Sequence, residues 1–173
     1  MTTEMISLAR RALDHYKNST TDQAPSTMPM SVEAYLNMER YQSERDRIFK
    51  HLPLALALSI ELPEPQSFRA LDVMETPVLL VRGEDGEVRA FLNVCRHRGA
   101  KICEEGTGKA RIFSCPYHAW TYNHNGDLVG QYGADSFGEV DRDVMGLTRL
   151  PCAEKSGLVW VILSPGEEFN IAS

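Results

Sequence analysis

The chain has no apolar run long enough to cross a bilayer. The longest, residues 52–60, is broken by Pro53, and a spanning helix needs about 20 apolar residues. Residues 1–11 contain no apolar stretch of the kind an export signal carries. Cysteine is scarce: four residues cannot staple a chain of 173, so a disulfide scaffold is excluded and reduced thiols in a cytoplasmic protein are expected. Basic residues are too few for a nucleic-acid partner. Eighteen Lys and Arg face 24 Asp and Glu, a net charge of −6, with no basic stripe interleaved with aromatics. There is no internal repeat and no low-complexity tract. What remains, 43% apolar and 24% charged, is the balance of a globular protein with a core.

The order of patterns is helices first, strands after. Met5, Leu8, Ala9, Ala12, Leu13 and Tyr16 recur at three- and four-residue spacing, which predicts an amphipathic helix over residues 4–17. A Ser/Thr/Pro-rich connector fills 18–29, and Ser31 is placed to cap a short turn. Met38, Tyr41, Arg45, Ile48 and Phe49 predict a second helix ending near Lys50. From residue 53 the period shortens. Strands are expected at 54–60, 68–73, 77–82, 88–93, 111–114, 119–122, 128–129, 147–150 and 158–163. Turns are expected at 83–86, at Asn125-Gly126, where both residues tolerate positive φ, and at 155–157. Residues 132–144 form a Gly/Asp-rich excursion. The expected fold is mainly β with N-terminal helices (α+β), its β part a small antiparallel sandwich or barrel. The expected organisation is a helical extension over 1–50, a β domain over 51–165 and a short tail over 166–173.

Two motifs carry chemistry: Cys95-Arg96-His97 and Cys115-Pro116-Tyr117-His118. A structural zinc site usually pairs Cys with Cys and His with His. Here each short loop offers one thiol and one imidazole. That donor set suits a [2Fe–2S] cluster with both cysteines on one iron and both histidines on the other; a structural zinc module for binding partners is the competing reading. With two ferric ions, two sulfides and two thiolates the cluster is neutral, so an electron enters more easily than at a four-thiolate cluster. The loops span 95–100 and 115–120. Gly99 lets the first turn sharply and Pro116 stiffens the second. Cys103 and Cys152 lack a histidine at ligand spacing and read as core thiols. His124 falls in a turn and reads as exposed, while His15 and His51 have no constellation around them. Trp120 and Tyr122 suit strand packing, and Trp120 lies close enough to His118 to cover the cluster. Residues 95–118 carry Arg96, Arg98, Lys101, Lys109 and Arg111 against Glu104 and Glu105. This positive segment in an acidic chain is either ordinary solvated surface or a collar for an acidic electron donor or neighbouring subunit.

The segments Asn93-Val94-Cys95-Arg96-His97-Arg98-Gly99-Ala100 and Cys115-Pro116-Tyr117-His118-Ala119-Trp120-Thr121-Tyr122 closely resemble the Rieske domain of ring-hydroxylating (Rieske non-haem iron) oxygenase α subunits. The approach through residues 77–93, the closing Gly157-Leu158-Val159-Trp160-Val161 and the helix over 35–49 resemble the same family. The resemblance implies that Cys95, His97, Cys115 and His118 hold the cluster, with Arg96, Gly99, Tyr117 and Trp120 around it. It implies an oxidoreductase component of dioxygenase or monooxygenase type that takes single electrons from a ferredoxin or flavin reductase. The electrons pass to a mononuclear non-haem iron outside this chain, in the family often on a neighbouring subunit of a trimer. No catalytic residue is expected within the chain itself. In the family a catalytic domain with a two-histidine, one-carboxylate triad follows, and none of His15, His51 and His124 fits that triad's spacing. The chain therefore reads as an excised part or as one with its catalytic half on another polypeptide; a stand-alone Rieske-type ferredoxin is the alternative. Trp120 stands where respiratory Rieske proteins carry a serine that hydrogen-bonds a sulfur, so the resemblance also implies a potential well below theirs.

Overall fold

The computed structural model describes residues 2–136 and 138–169. The chain forms two compact units, Met1–Asn37 and Met38–Ser173.

The first unit is helical. Helix α1 (Thr3–Asn18) begins where the Thr2 hydroxyl accepts from the Met5 N–H at 3.3 Å, an N-cap that satisfies one of the orphan donors of the first turn. It ends at Ser19, left-handed at φ 51, with the Thr20 N–H returned to the His15 carbonyl at 3.0 Å. The helix matches the expected one, yet none of its residues is buried. Periodicity reports a helix and an apolar stripe; it does not say that anything packs on the stripe. Helix α2 (Glu33–Leu36) is one turn long, and Ser31 accepts from the Glu33 N–H at 3.2 Å.

The second unit opens with helix α3 (Met38–Glu44), which widens into a π-helical turn over Arg45–Phe49. Eleven strands then follow among the described residues: β1 (Leu54–Leu58), β2 (Ser67–Val73), β3 (Thr76–Arg82), β4 (Val88–Leu92), β5 (Gly106–Lys109), β6 (Phe113–Ser114), β7 (Thr121–Tyr122), β8 (Leu128–Gly130), β9 (Arg149–Leu150), β10 (Cys152–Lys155) and β11 (Leu158–Val161). They form three antiparallel sheets, ordered β1-β11-β10, β5-β2-β3-β4-β9 and β6-β7-β8.

Strand β3 explains the layering. Its apolar run Val78, Leu79, Leu80 and Val81 is fully buried at every position. Successive side chains of a strand point to opposite faces, so such a run needs a core on each side. Leu79 and Val81 join Ala70, Phe91, Phe113, Trp120, Tyr122 and Leu128 on one face. Val78 and Leu80 join Leu62, Ala90, Val159 and Val161 on the other. Each such buried side chain is worth about 1.5–3 kcal/mol against leaving it in water. The five-stranded sheet is thus a rigid middle layer, and the small β6-β7-β8 sheet sits on one of its faces.

Two strands went unforeseen, β5 and β10. All four residues of β5, Gly-Thr-Gly-Lys, are exposed; it pairs at the sheet edge with β2, and no apolar alternation announces it. The Asn125-Gly126 turn also differs from expectation. Gly126 is left-handed at φ 82 but Asn125 is not. The Gly126 N–H returns to the Asn123 carbonyl and the Asn123 N–H to that of Asp127. This is a longer hairpin loop with glycine in the left-handed slot, held because Asn123 Oδ1 accepts from the Asn125 and Asp127 N–H groups, both at 2.9 Å. The β2–β3 hairpin turns through Met74 and Glu75, both at positive φ without Gly or Asn. Among the described residues no helix is long and apolar enough to cross a membrane.

Candidate metal centre

The four motif residues lie on two loops brought together at one end of the middle layer. The first loop leaves β4 and returns through β5; the second joins β6 to β7. Both close in the same way. The Cys95 N–H donates to the Ala100 carbonyl at 2.8 Å, and the Gly99 N–H to the Cys95 carbonyl at 3.0 Å. The Cys115 N–H donates to the Trp120 carbonyl at 2.8 Å, and the Ala119 N–H to the Cys115 carbonyl at 2.9 Å. Each closure needs a left-handed residue four positions after the cysteine. Gly99 fills it at φ 74 and Ala119 at φ 52, the latter at a steric cost that glycine does not carry.

This closure buries the sulfurs and lifts the imidazoles. Cys95 and Cys115 are 2% and 4% exposed, while His97 and His118 are half-buried. The two imidazole centroids are 4.7 Å apart, edge to face. Burial pushes the Cys95 thiol up, and the neighbouring Cys115 thiol adds to it, against hydrogen bonds from the Tyr122 hydroxyl and the His97 N–H. Burial also pushes the His97 imidazole down, with His118 and Arg98 adding to the shift.

Other residues hold the loops. Asn93, 1% exposed, donates through Nδ2 to the Cys103 carbonyl at 2.7 Å. Its Oδ1 accepts from the Ile102 and Cys103 N–H groups at 3.3 and 3.0 Å. One side chain therefore clamps both limbs of the first loop. The Tyr122 hydroxyl lies 3.3 Å from Cys95 Sγ and accepts from the Arg96 N–H at 3.1 Å. Sequence reasoning missed the roles of both residues. The inward register of Tyr122 on β7, opposite Phe113, was the available signal; Asn93 carried none, since its partners lie nine and ten residues away. Trp120 is buried and stacks on His97, the imidazole of the other loop. Tyr117 is exposed and lies over His118 at 3.8 Å between centroids. Arg96 and Arg98 are exposed beside the loop.

His124 corrects its sequence reading. It is 7% exposed, with Nε2 2.7 Å from the Ala110 carbonyl and its ring edge-on to Phe113. The turn that carries it folds back onto the β5–β6 connection, which places it inside. His15 lies between Thr20 and Asp22, and His51 meets Glu167 at 2.9 Å. Cys103 and Cys152 pack against the two cores, and burial pushes their thiols up to about 11 and about 12.

These residues suit a dinuclear centre. His118 Nδ1 is buried and has no hydrogen-bond partner, a cost of about 1–3 kcal/mol that a metal bond would remove. Two buried thiols beside it are poor neighbours for each other as anions and good ligands for a cation. A single zinc ion would need all four side chains on one point, whereas each iron of a sulfide-bridged pair needs only two from the protein.

A model of the Rieske [2Fe-2S] domain matches residues 53–139. The chain belongs to the Rieske family. It is 35% identical over 127 residues to the chlorobenzene dioxygenase subunit alpha of Cupriavidus sp. (strain PS12), covering 73% of this chain and 28% of that one. It is 34% identical over 121 residues to the glycine betaine monooxygenase oxygenase subunit of Chromohalobacter salexigens, covering 70% and 27%. Among solved structures, the apo quaternary ammonium Rieske monooxygenase CntA superposes with a TM-score of 0.74 at 28% identity, covering 82% of this chain and 41% of that one. Naphthalene 1,2-dioxygenase from Rhodococcus sp. gives 0.69 at 30%, covering 79% and 34%. The Rieske chain thus spans under a third of the length of these two curated relatives. Its mainly antiparallel β fold is theirs, and its cofactor is the [2Fe–2S] cluster that defines a Rieske domain.

Proposed function

We propose that Cys95, His97, Cys115 and His118 hold the cluster, and that the domain relays single electrons inside a ring-hydroxylating-type oxygenase. The observation that carries this is the paired loop closure, which buries two sulfurs and sets two imidazole rings 4.7 Å apart at the surface. When bound, the cluster supplies one-electron redox chemistry at a potential of roughly −150 to +300 mV. The protein's part is geometric. The buried cysteines would hold the cluster from the core side, and the half-buried histidines would hold it from the side open to a partner. Tyr122 supplies a hydroxyl near Cys95, while Trp120 occupies the position where a serine would raise the potential. The tryptophan favours the low end of the Rieske range, and the Tyr122 hydroxyl beside Cys95 offsets part of that.

The donor in this reading is a ferredoxin or a flavin reductase. Arg96, Arg98 and Arg111 are exposed cations of the loop segment, while Lys101 and Lys109 are engaged by Asp72 and Glu64. The arginines suit an acidic partner. The acceptor is a mononuclear iron in a catalytic domain. The relatives named above are dioxygenase and monooxygenase subunits, and inter-subunit electron transfer is described for a quaternary ammonium Rieske monooxygenase, which supports an acceptor on a neighbouring subunit; the assembly in this reading is a homotrimer. Reduced thiols favour the cytoplasm. The test is anaerobic purification followed by iron and acid-labile sulfide assays and EPR of the reduced protein. Two irons and two sulfides per chain, lost in Cys115→Ser and His118→Ala, are expected. A colourless zinc protein, or a cluster that survives both substitutions, would overturn the reading.

A further inference from the structure

Trp120 and Tyr117 treat the two imidazoles unequally. The Trp120 indole lies on the face of His97, 4.9 Å between centroids and 10° from parallel. It reaches across from the other loop. Ala119, left-handed at φ 52, turns the chain so that the next side chain points inward. The Cys115 N–H then fixes the Trp120 carbonyl at 2.8 Å. Trp120 is 3% exposed and shares its core with Cys95, Cys115 and Tyr122. The aromatic neighbour of His118 is Tyr117, 60% exposed and tilted 34° from the imidazole. One imidazole has a fixed interior wall, and the other has a surface side chain.

We infer that Trp120 is the positioning residue for His97: its flat face fixes the imidazole plane and keeps water off the ligand. This rests on His97 being a cluster ligand, as proposed above. The rotation of an imidazole about its last side-chain bond is a broad, soft torsion, so a ligand histidine needs an external stop to hold one nitrogen on its iron. Groups around a metal ligand commonly serve that purpose. An offset aromatic stack does so without a hydrogen bond. It also covers the face through which water would reach the iron–nitrogen bond. The wall is built by the second loop, so the two loops must be folded together before His97 is set.

The test uses the cluster-loaded chain with Trp120→Phe, which keeps a flat ring, and Trp120→Leu, which keeps apolar bulk without one. Leu80→Ala, a truncation on the opposite core face, controls for lost stability alone. The readouts are the histidine nitrogen couplings in pulsed EPR of the reduced cluster and the rate of iron release to a chelator. Trp120→Leu is expected to shift the couplings of one imidazole and to release iron about tenfold faster, within the range seen when groups supporting a metal ligand are lost. Trp120→Phe restores both, and Leu80→Ala lowers the melting temperature while leaving the couplings unchanged. Couplings in Trp120→Leu equal to the parent's, or release no faster than in Leu80→Ala, would overturn the inference. So would a phenylalanine variant as defective as the leucine one. A parent protein without cluster or without imidazole couplings would instead sink the ligand assignment itself, so the two failures are distinguishable.

Discussion

In the first ligand loop the left-handed residue is Gly99, and support comes from inside, through the three hydrogen bonds of Asn93. In the second the left-handed residue is Ala119, and support comes from strand pairing, with Ser114 and Thr121 opposite each other and their hydroxyls 3.0 Å apart. The backbone closures are the same. The difference follows from the length of the connection between the flanking strands, 93–105 in the first and 115–120 in the second. The second loop is a tight hairpin connection whose strands hold it. The first closes on a single antiparallel bridge, Val94 to Lys101, within a long excursion between β4 and β5, so a buried side chain adds what the fuller strand pairing gives the other. Equivalent ligand geometry can therefore rest on unequal sources of stability, and the two loops should fail differently.

The sharpest break in that comparison is Asn93→Ala. It leaves two N–H groups and a carbonyl without their partner near the core, at a cost of about 3 kcal/mol in urea denaturation, with faster cluster loss. Ser114→Ala at the exposed base of the second loop should cost under about 0.5 kcal/mol; equal effects would refute the asymmetry. Tyr122→Phe comes next. It orphans the Arg96 N–H and removes the hydroxyl beside Cys95, so a stability loss of about 1 kcal/mol is expected. If a similar energy favours the reduced cluster, redox titration should read a fall of about 40 mV.

Exchanging the left-handed residues should give opposite signs. A Cβ at Gly99 meets nothing within 4 Å, so Gly99→Ala isolates the backbone penalty, about 1 kcal/mol. Ala119→Gly should relieve that penalty, less the entropy glycine adds to the unfolded chain, for a net gain of a few tenths of a kcal/mol. Equal signs in urea midpoints would show that the closures differ in strain after all.

The smallest effect lies away from both loops and serves as their control. Arg82 holds Glu154 through two hydrogen bonds at 2.8 and 3.0 Å, which keeps its carboxyl below the usual glutamate range. A depressed folded value means the contribution is complete above the unfolded value, about 4.3, and is lost as pH falls through the folded one. Glu154→Gln should cost under about 1 kcal/mol at neutral pH, because the pair is partly exposed. Its gap to the parent should narrow in urea midpoints measured towards pH 3. A gap that widens there would reverse the sign.

Much of the candidate site was legible because side-chain type and spacing are local properties. C-x-H and C-x-x-H name the proposed donors, and apolar runs name most strands, β3 above all. Gly99 announced its turn because few other residues adopt that φ. The misses share one cause. β5 is a strand because β2 lies beside it; its own Gly-Thr-Gly-Lys says nothing. His124 is buried because a hairpin folds onto Ala110, fourteen residues away. Helix α1 has a stripe that periodicity reports without naming a partner for it.

The order of residues alone carried the proposed donor set, the resemblance to Rieske domains and the antiparallel β architecture, since these depend on side-chain type and on spacing within a few residues. Tertiary structure decided which ring covers which imidazole, that Asn93 is a clamp, that Tyr122 reaches Cys95 and that His124 is interior. Those are contacts between segments distant along the chain, and their partners are chosen by the packing of both faces of one central sheet.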